Sequence, residues 1–145
     1  ARRQRQMCIR DSSIWAAHEN GVDQLSEDGQ IIKQFTADPT NANSLLNKET
    51  GPLAILNDGR VWAASQSLGA TLINPTAKTY QRFYEFIDET SGSKLQGKVN
   101  SIFQEYVNNQ NGPNYENIWF ATTAGIIKCT MPENTENAPK FSVYK

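Results

Sequence analysis

Histidine occurs once in these 145 residues and cysteine twice, so the chain is short of the side chains that build most metal sites and nucleophilic triads. A single histidine, His18, without cysteines at ligand spacing cannot assemble the usual zinc sites. Two cysteines, Cys8 and Cys129, make no disulfide framework. Ser12, Ser13 and Ser65 have no histidine placed by the sequence as a base, so a serine nucleophile is not supported. There is no glycine-rich phosphate loop. No apolar run approaches the roughly 20 residues that span a bilayer, and no secretory leader is visible. No stretch carries the sustained spacing of a long amphipathic helix either. With 38% apolar and 20% charged residues, what remains is a polar globular composition, in size that of one ordinary domain.

Positive charge is also scarce outside the N-terminus. Arg2, Arg3, Arg5 and Arg10 crowd together there, and only Arg60 and Arg82 lie elsewhere. Clustered arginines can form an arm that neutralises nucleic-acid phosphates. The string ARRQRQMCIRDS, residues 1–12, resembles a translated sequencing-adapter read, and such segments are set aside in fold reasoning. Without it the charge balance turns acidic, and no nucleic-acid partner is expected. Cys8 leaves with that segment, and Cys129, in an apolar-alternating stretch, reads as a small buried hydrophobe.

What is present is a repeat. Trp15, Trp62 and Trp119 stand in three copies of one pattern: Ile14-Trp15-Ala16-Ala17, Val61-Trp62-Ala63-Ala64 and Ile118-Trp119-Phe120-Ala121. A glycine follows each (Gly21, Gly69, Gly125), and then a phenylalanine (Phe35, Phe83, Phe141). Self-similarity on this scale marks a repeat architecture.

The second copy reads as four strands. An apolar run at 53–56 leads into the turn Asn57-Asp58-Gly59-Arg60, whose Asp-Gly favours the positive φ of a tight hairpin. Strands follow at 61–65 and 70–73, separated by Gln66-Ser67 and started by Gly69. After a turn containing Pro75, residues 80–86 alternate aromatic and polar side chains. The third copy repeats this at 99–103, 117–122, 125–130 and 140–144, its first turn swollen into an asparagine-rich loop at 106–116. The first copy supplies three strands, at 13–17, 21–25 and 30–35, and its inner strand is expected to be missing where residues 1–12 stand. Four-stranded antiparallel units in such a repeat predict an all-β, partial β-propeller of about three blades. The blades are expected at 13–36 (partial), 52–87 and 98–145, in one incomplete propeller domain. A β-sandwich does not explain one motif three times in phase, and solenoids need other periods.

In this picture the tryptophans fill seams between neighbouring sheets, and the small residues after them let the sheets approach. Gly21, Gly69 and Gly125 sit where a strand begins and where positive φ or close backbone approach is needed.

These residues carry a family resemblance. Asn57-Asp58-Gly59-Arg60-Val61-Trp62-Ala63-Ala64 and Asn117-Ile118-Trp119-Phe120-Ala121-Thr122-Thr123-Ala124-Gly125-Ile126 resemble the blade motif of two-component regulator propellers. Leu95-Gln96-Gly97-Lys98-Val99-Asn100-Ser101-Ile102 is similar to that family's lead-in to a blade. The likeness covers residues 13–145. The family's glycine after the tryptophan strand is replaced here by Ala16, Ala63, and Phe120 or Ala121, and its threonine survives as Thr122. The resemblance implies an extracytoplasmic, periplasmic sensor region, anchored through further blades and a membrane helix to a histidine kinase. Such sensors in Bacteroidetes typically respond to oligosaccharides. It implies no cofactor, and no direct membrane contact for the blades themselves.

No catalytic grouping stands out, so the segment itself reads as non-catalytic. Turns at one end of a propeller are where a ligand would meet it. The turns after the tryptophan strands offer His18, Glu19, Gln66 and Thr123; the loop at the opposite end offers Tyr106 and Tyr115, with Asn109 and Asn111. His18 reads more simply as an exposed turn residue. Glu85, Asp88 and Glu89 form an acidic cluster, read as a solvated strand end against a calcium or glycosidase alternative. Two other readings stay open: blades of a propeller enzyme acting on polysaccharide, and a scaffold for protein interaction.

Overall fold

The computed structural model describes residues 4–10, 13–48, 50–108, 110–111, 115–131 and 138–145, with backbone alone for 4–10, 13 and 115. The first sheet comprises β1 (Gln4–Arg10), β2 (Ser13–His18), β3 (Gly21–Leu25) and β4 (Ile31–Phe35). The second comprises β5 (Thr50–Ile55), β6 (Val61–Ser65), β7 (Ala70–Asn74) and β8 (Thr79–Phe83). A small hairpin, β9 (Phe86–Ile87) and β10 (Lys94–Leu95), interrupts the next linker. The third sheet comprises β11 (Val99–Val107), β12 (Tyr115–Thr122), β13 (Gly125–Thr130) and β14 (Lys140–Tyr144). Each four-stranded sheet is antiparallel with its strands in chain order, and no helix occurs among the described residues. This is the all-β arrangement of partial propeller blades that the repeat predicts.

The middle blade packs its two faces against different neighbours, and the period-2 geometry of a strand makes this possible. Every residue of β6 is buried. Val61 and Ala63 join the seam with the first sheet, alongside Trp15, Phe35 and Ile55. Trp62 and Ala64 join the seam with the third sheet, alongside Ile118 and Phe120. A strand buried on both sides need not alternate in polarity, and Val-Trp-Ala-Ala-Ser does not. The tryptophan therefore always points forward, towards the next blade. Trp62 meets Phe120 edge-on at 5.1 Å between centroids, with Phe83 at 5.5 Å on its own sheet.

Glycine fixes the register at the start of each third strand. Gly21, Gly69 and Gly125 have φ of +134°, +81° and +151°. A Cβ there would lie 2.2, 2.0 and 2.5 Å from the carbonyl oxygens of Phe35, Phe83 and Tyr144. Only glycine tolerates both the dihedral and the approach.

Three expectations are corrected. The first blade does not lack its inner strand: Gln4–Arg10 pairs along β2, with Cys8 opposite Trp15 and Ile9 opposite Ile14. An unpaired edge presents a row of backbone donors and acceptors, and a ladder can be completed by any extended segment whatever its side chains. The loop expected at 106–116 is shorter, because Tyr106 pairs with Glu116 and Val107 with Tyr115, prolonging the hairpin. The third aromatic of the repeat is Tyr144, not Phe141. Phe35 pairs with Val22, Phe83 with Ala70 and Tyr144 with Ile126, whereas Phe141 pairs with Cys129 and points back into the seam behind. The longer connection before β14 defeats counting from the tryptophan, and an odd offset along a strand puts a side chain on the opposite face.

Candidate functional site

In a four-stranded antiparallel sheet the second turn and the exit of the fourth strand lie at the same end. The β2–β3, β6–β7 and β12–β13 turns therefore share one end with the linkers 36–48 and 84–98. The β11–β12 hairpin, with Tyr106 and Tyr115, lies at the other. The two groups of binding candidates are thus separated by the length of a sheet. Tyr106 is 57% exposed at its end and Asn111 is exposed nearby; Asn109 and the side chain of Tyr115 lie outside the described residues.

At the shared end, two of the four turn candidates, Gln66 and Thr123, hold linkers against turns. Thr50 Oγ1 donates to Gly21 O at 2.7 Å, tying the first linker to the preceding turn. Gln66 Nε2 donates back to Thr50 O at 3.2 Å. One blade on, Gly69 N donates to Gly97 O at 3.2 Å. Thr123 N donates to Lys98 O at 3.0 Å, and Thr123 Oγ1 accepts from Lys98 N at 3.2 Å. Gln66 and Thr123 thus close linkers onto turns, while Glu19 stays exposed.

His18 is not an exposed turn residue; it ends β2 and is only 4% exposed. Its side chain shares a sheet face with Asp23, because Ala16 pairs with Asp23 and His18 lies two residues further along the strand. Nδ1 accepts from Asn20 N at 3.1 Å, which places the neutral ring's proton on Nε2. Nε2 lies 3.2 Å from Asp23 Oδ2, an electrostatic contact without the alignment of a hydrogen bond. Ser65 is buried, its hydroxyl engaged with Ser67 N at 3.0 Å.

The acidic cluster does not converge. Glu85 faces Lys94 at 3.8 Å. Asp88 caps its own turn, its Oδ1 accepting from Thr90 N and Ser91 N at 2.9 Å each, and its Oδ2 from Val143 N at 2.8 Å. The backbone N–H groups of Ser91, Val143 and Thr90 pull its carboxyl down to about 2. No group of three or more His, Cys, Asp or Glu that could hold a metal ion occurs among the described residues. Cys129 is fully buried, and burial pushes its thiol far up.

A cavity of about 360 Å³ opens at the same end, between the first linker and the end of β8. Its floor is Leu45 and Leu46; Tyr84 stands at its wall, and Arg82 and Lys48 bring positive charge to it. Arg82 is the clamp that shapes the linker. Its Nε donates to Ser44 O at 2.9 Å, and its Nη2 lies within donor reach of Asn41 O (2.7 Å), Ser44 Oγ (2.6 Å), Asp38 O and Leu45 O (3.1 Å each). No local sequence pattern marks this group, since its members are distant along the chain. The one signal was an isolated arginine at the end of an aromatic-polar strand.

The chain matches no family model and no curated protein sequence. It is similar in structure to the extracellular domain of a protein from B. thetaiotaomicron assigned as a hybrid two-component system, with a TM-score of 0.64 at 18% identity. The match covers 99% of this chain and spans 17% of that one. The fold is that of a β-propeller segment, shared with this extracellular domain.

Proposed function

We propose that this chain is part of the extracytoplasmic ligand-sensing propeller of a membrane-bound two-component regulator, responding to an oligosaccharide or another small polar ligand. The observation that carries the reading is the likeness in fold to an extracellular domain of that class, which runs over 99% of the chain. The blade motifs around Trp62 and Trp119 support it independently, because they resemble the same family in sequence. The segment senses and does no chemistry: its one histidine is engaged with Asp23 and the turn backbone. Further blades and the membrane-anchored kinase of the parent chain are its partners. Reading the coding frame onward tests this. A membrane span and histidine-kinase motifs downstream are expected; a stop codon directly after the last blade would sink the sensor.

A further inference from the structure

We propose that the cavity between the first linker and β8 binds a small anionic sugar, its ring against Tyr84 and the apolar floor and its charged group between Arg82 and Lys48. This names the ligand class of the sensor proposed above and rests on that reading for its biological use. At about 360 Å³ the cavity falls within the range of small-molecule sites, which combine apolar lining with a few placed polar groups. Leu45 is buried beneath it, while the Tyr84 side chain is 58% exposed at its wall. An exposed aromatic face beside apolar carbons suits the C–H face of a ring.

The charge is what selects. Arg82 spends Nε and Nη2 on the linker, and its Nη1 makes no hydrogen bond among the described residues. The guanidinium plane is therefore already fixed, with one edge unspent, so binding an oxygen there orders little that is not ordered beforehand. Lys48 is exposed on the same rim, and among the described residues no carboxylate lines the cavity. Asp38 feels Arg82, but its carboxylate turns to Thr40 N at 2.9 Å and Thr40 Oγ1 at 2.7 Å. In a chain of net charge −1, this end of the linker is a local positive site. Two cations beside an aromatic wall suit a carboxylate, sulfate or phosphate carried on a ring, and suit a neutral sugar poorly.

Saturation-transfer NMR on the 145-residue chain, titrated with glucose, glucuronate, glucose 6-sulfate and glucose 6-phosphate, tests the site. At least one charged sugar should bind several-fold more tightly than glucose, and which one does separates the three anions. Lys48→Gln should weaken that binding by about two- to fivefold, the range of a solvent-exposed ion pair. Added salt should weaken it in the same direction. Tyr84→Ala should weaken it with little dependence on salt. Both variants alter exposed side chains, so an unchanged far-UV spectrum verifies the fold. Equal binding of glucose, no binding by any charged sugar, or unchanged binding by a variant carrying both Lys48→Gln and Tyr84→Ala would each overturn the site. Binding is read on this chain whatever follows it. A missing kinase would therefore sink the sensor and leave the site standing, and absent binding would do the reverse.

Discussion

Trp62 and Trp119 occupy the same position in consecutive blades, yet their removal should have unequal consequences. Trp62 has no exposed surface and packs against Phe83 on its own sheet and against Phe120 and Phe141 across the seam. Its Nε1 also lies 3.4 Å from Met131 Sδ. Trp62→Ala leaves a cavity that rigid neighbouring sheets cannot collapse, and such truncations cost about 3–5 kcal/mol. Trp119 points forward too, but no described sheet covers it. Its ring has Tyr144 alongside at 6.3 Å and Lys128 above at 5.4 Å. Those contacts are worth about 1–2 kcal/mol together. The two variants should therefore differ by about 2–3 kcal/mol. With a urea dependence of about 2 kcal/mol per molar, that is a gap of about 1 M between their unfolding midpoints. Far-UV circular dichroism at low micromolar concentration would measure it. Equal midpoints, or a larger loss for Trp119→Ala, would refute the reasoning that seam burial sets each tryptophan's contribution.

Three further outcomes follow from the geometry. Gly69→Ala forces a Cβ to within 2.0 Å of Phe83 O at a φ of +81°, whereas Gly59→Ala at +92° meets nothing; in thermal melts Gly59→Ala should lose about 1 kcal/mol and Gly69→Ala at least twice that, and comparable losses would contradict the register argument. The Asp88 carboxyl is lowered to about 2 in the folded chain, so its stabilisation is fully present above its unfolded value near 3.8 and lost as pH falls towards about 2. Urea midpoints measured down that range should fall more steeply for the parent than for Asp88→Asn, and parallel profiles would remove Asp88 from the account. Phe103, Ile126 and Tyr144, at 65%, 49% and 53% exposure, share the forward face of the third sheet with Trp119. Expressed as it stands, the chain should self-associate through that face; sedimentation velocity should show Phe103→Lys with Ile126→Lys shifting it towards monomer, and a parent that stays monomeric at high concentration with a sharp melt would contradict this.

Much of the architecture was legible because it is written in local chemistry. Asp58-Gly59 dictates a tight turn, Gly69 and Gly125 dictate strand starts, and the tryptophans mark the same strand in every blade. Each of those signals spans a few residues and depends on backbone dihedrals or the strand period. The failures share a different cause. Counting along the chain lands on Phe141 because it ignores the longer connection before β14, where pairing shifts the equivalent position to Tyr144. His18 looked exposed because its turn is polar, but Asp23 on the adjacent strand draws it under cover. Gln66 and Thr123 looked available because they sit in turns, but the linkers behind them needed donors and acceptors.

By itself, then, the sequence determined the blade: four short strands, a forward-pointing tryptophan and a glycine that only a close carbonyl explains. Those are properties of neighbouring residues and survive without knowledge of what packs beyond them. Only the tertiary structure decided which faces meet, which polar turn residues are consumed by stitching, and where a cavity forms. The cavity joins Lys48 to Arg82 and Tyr84 across more than a blade of chain. No local pattern encodes that meeting, because it depends on Arg82 gathering the carbonyls of a linker folded back over its own strand.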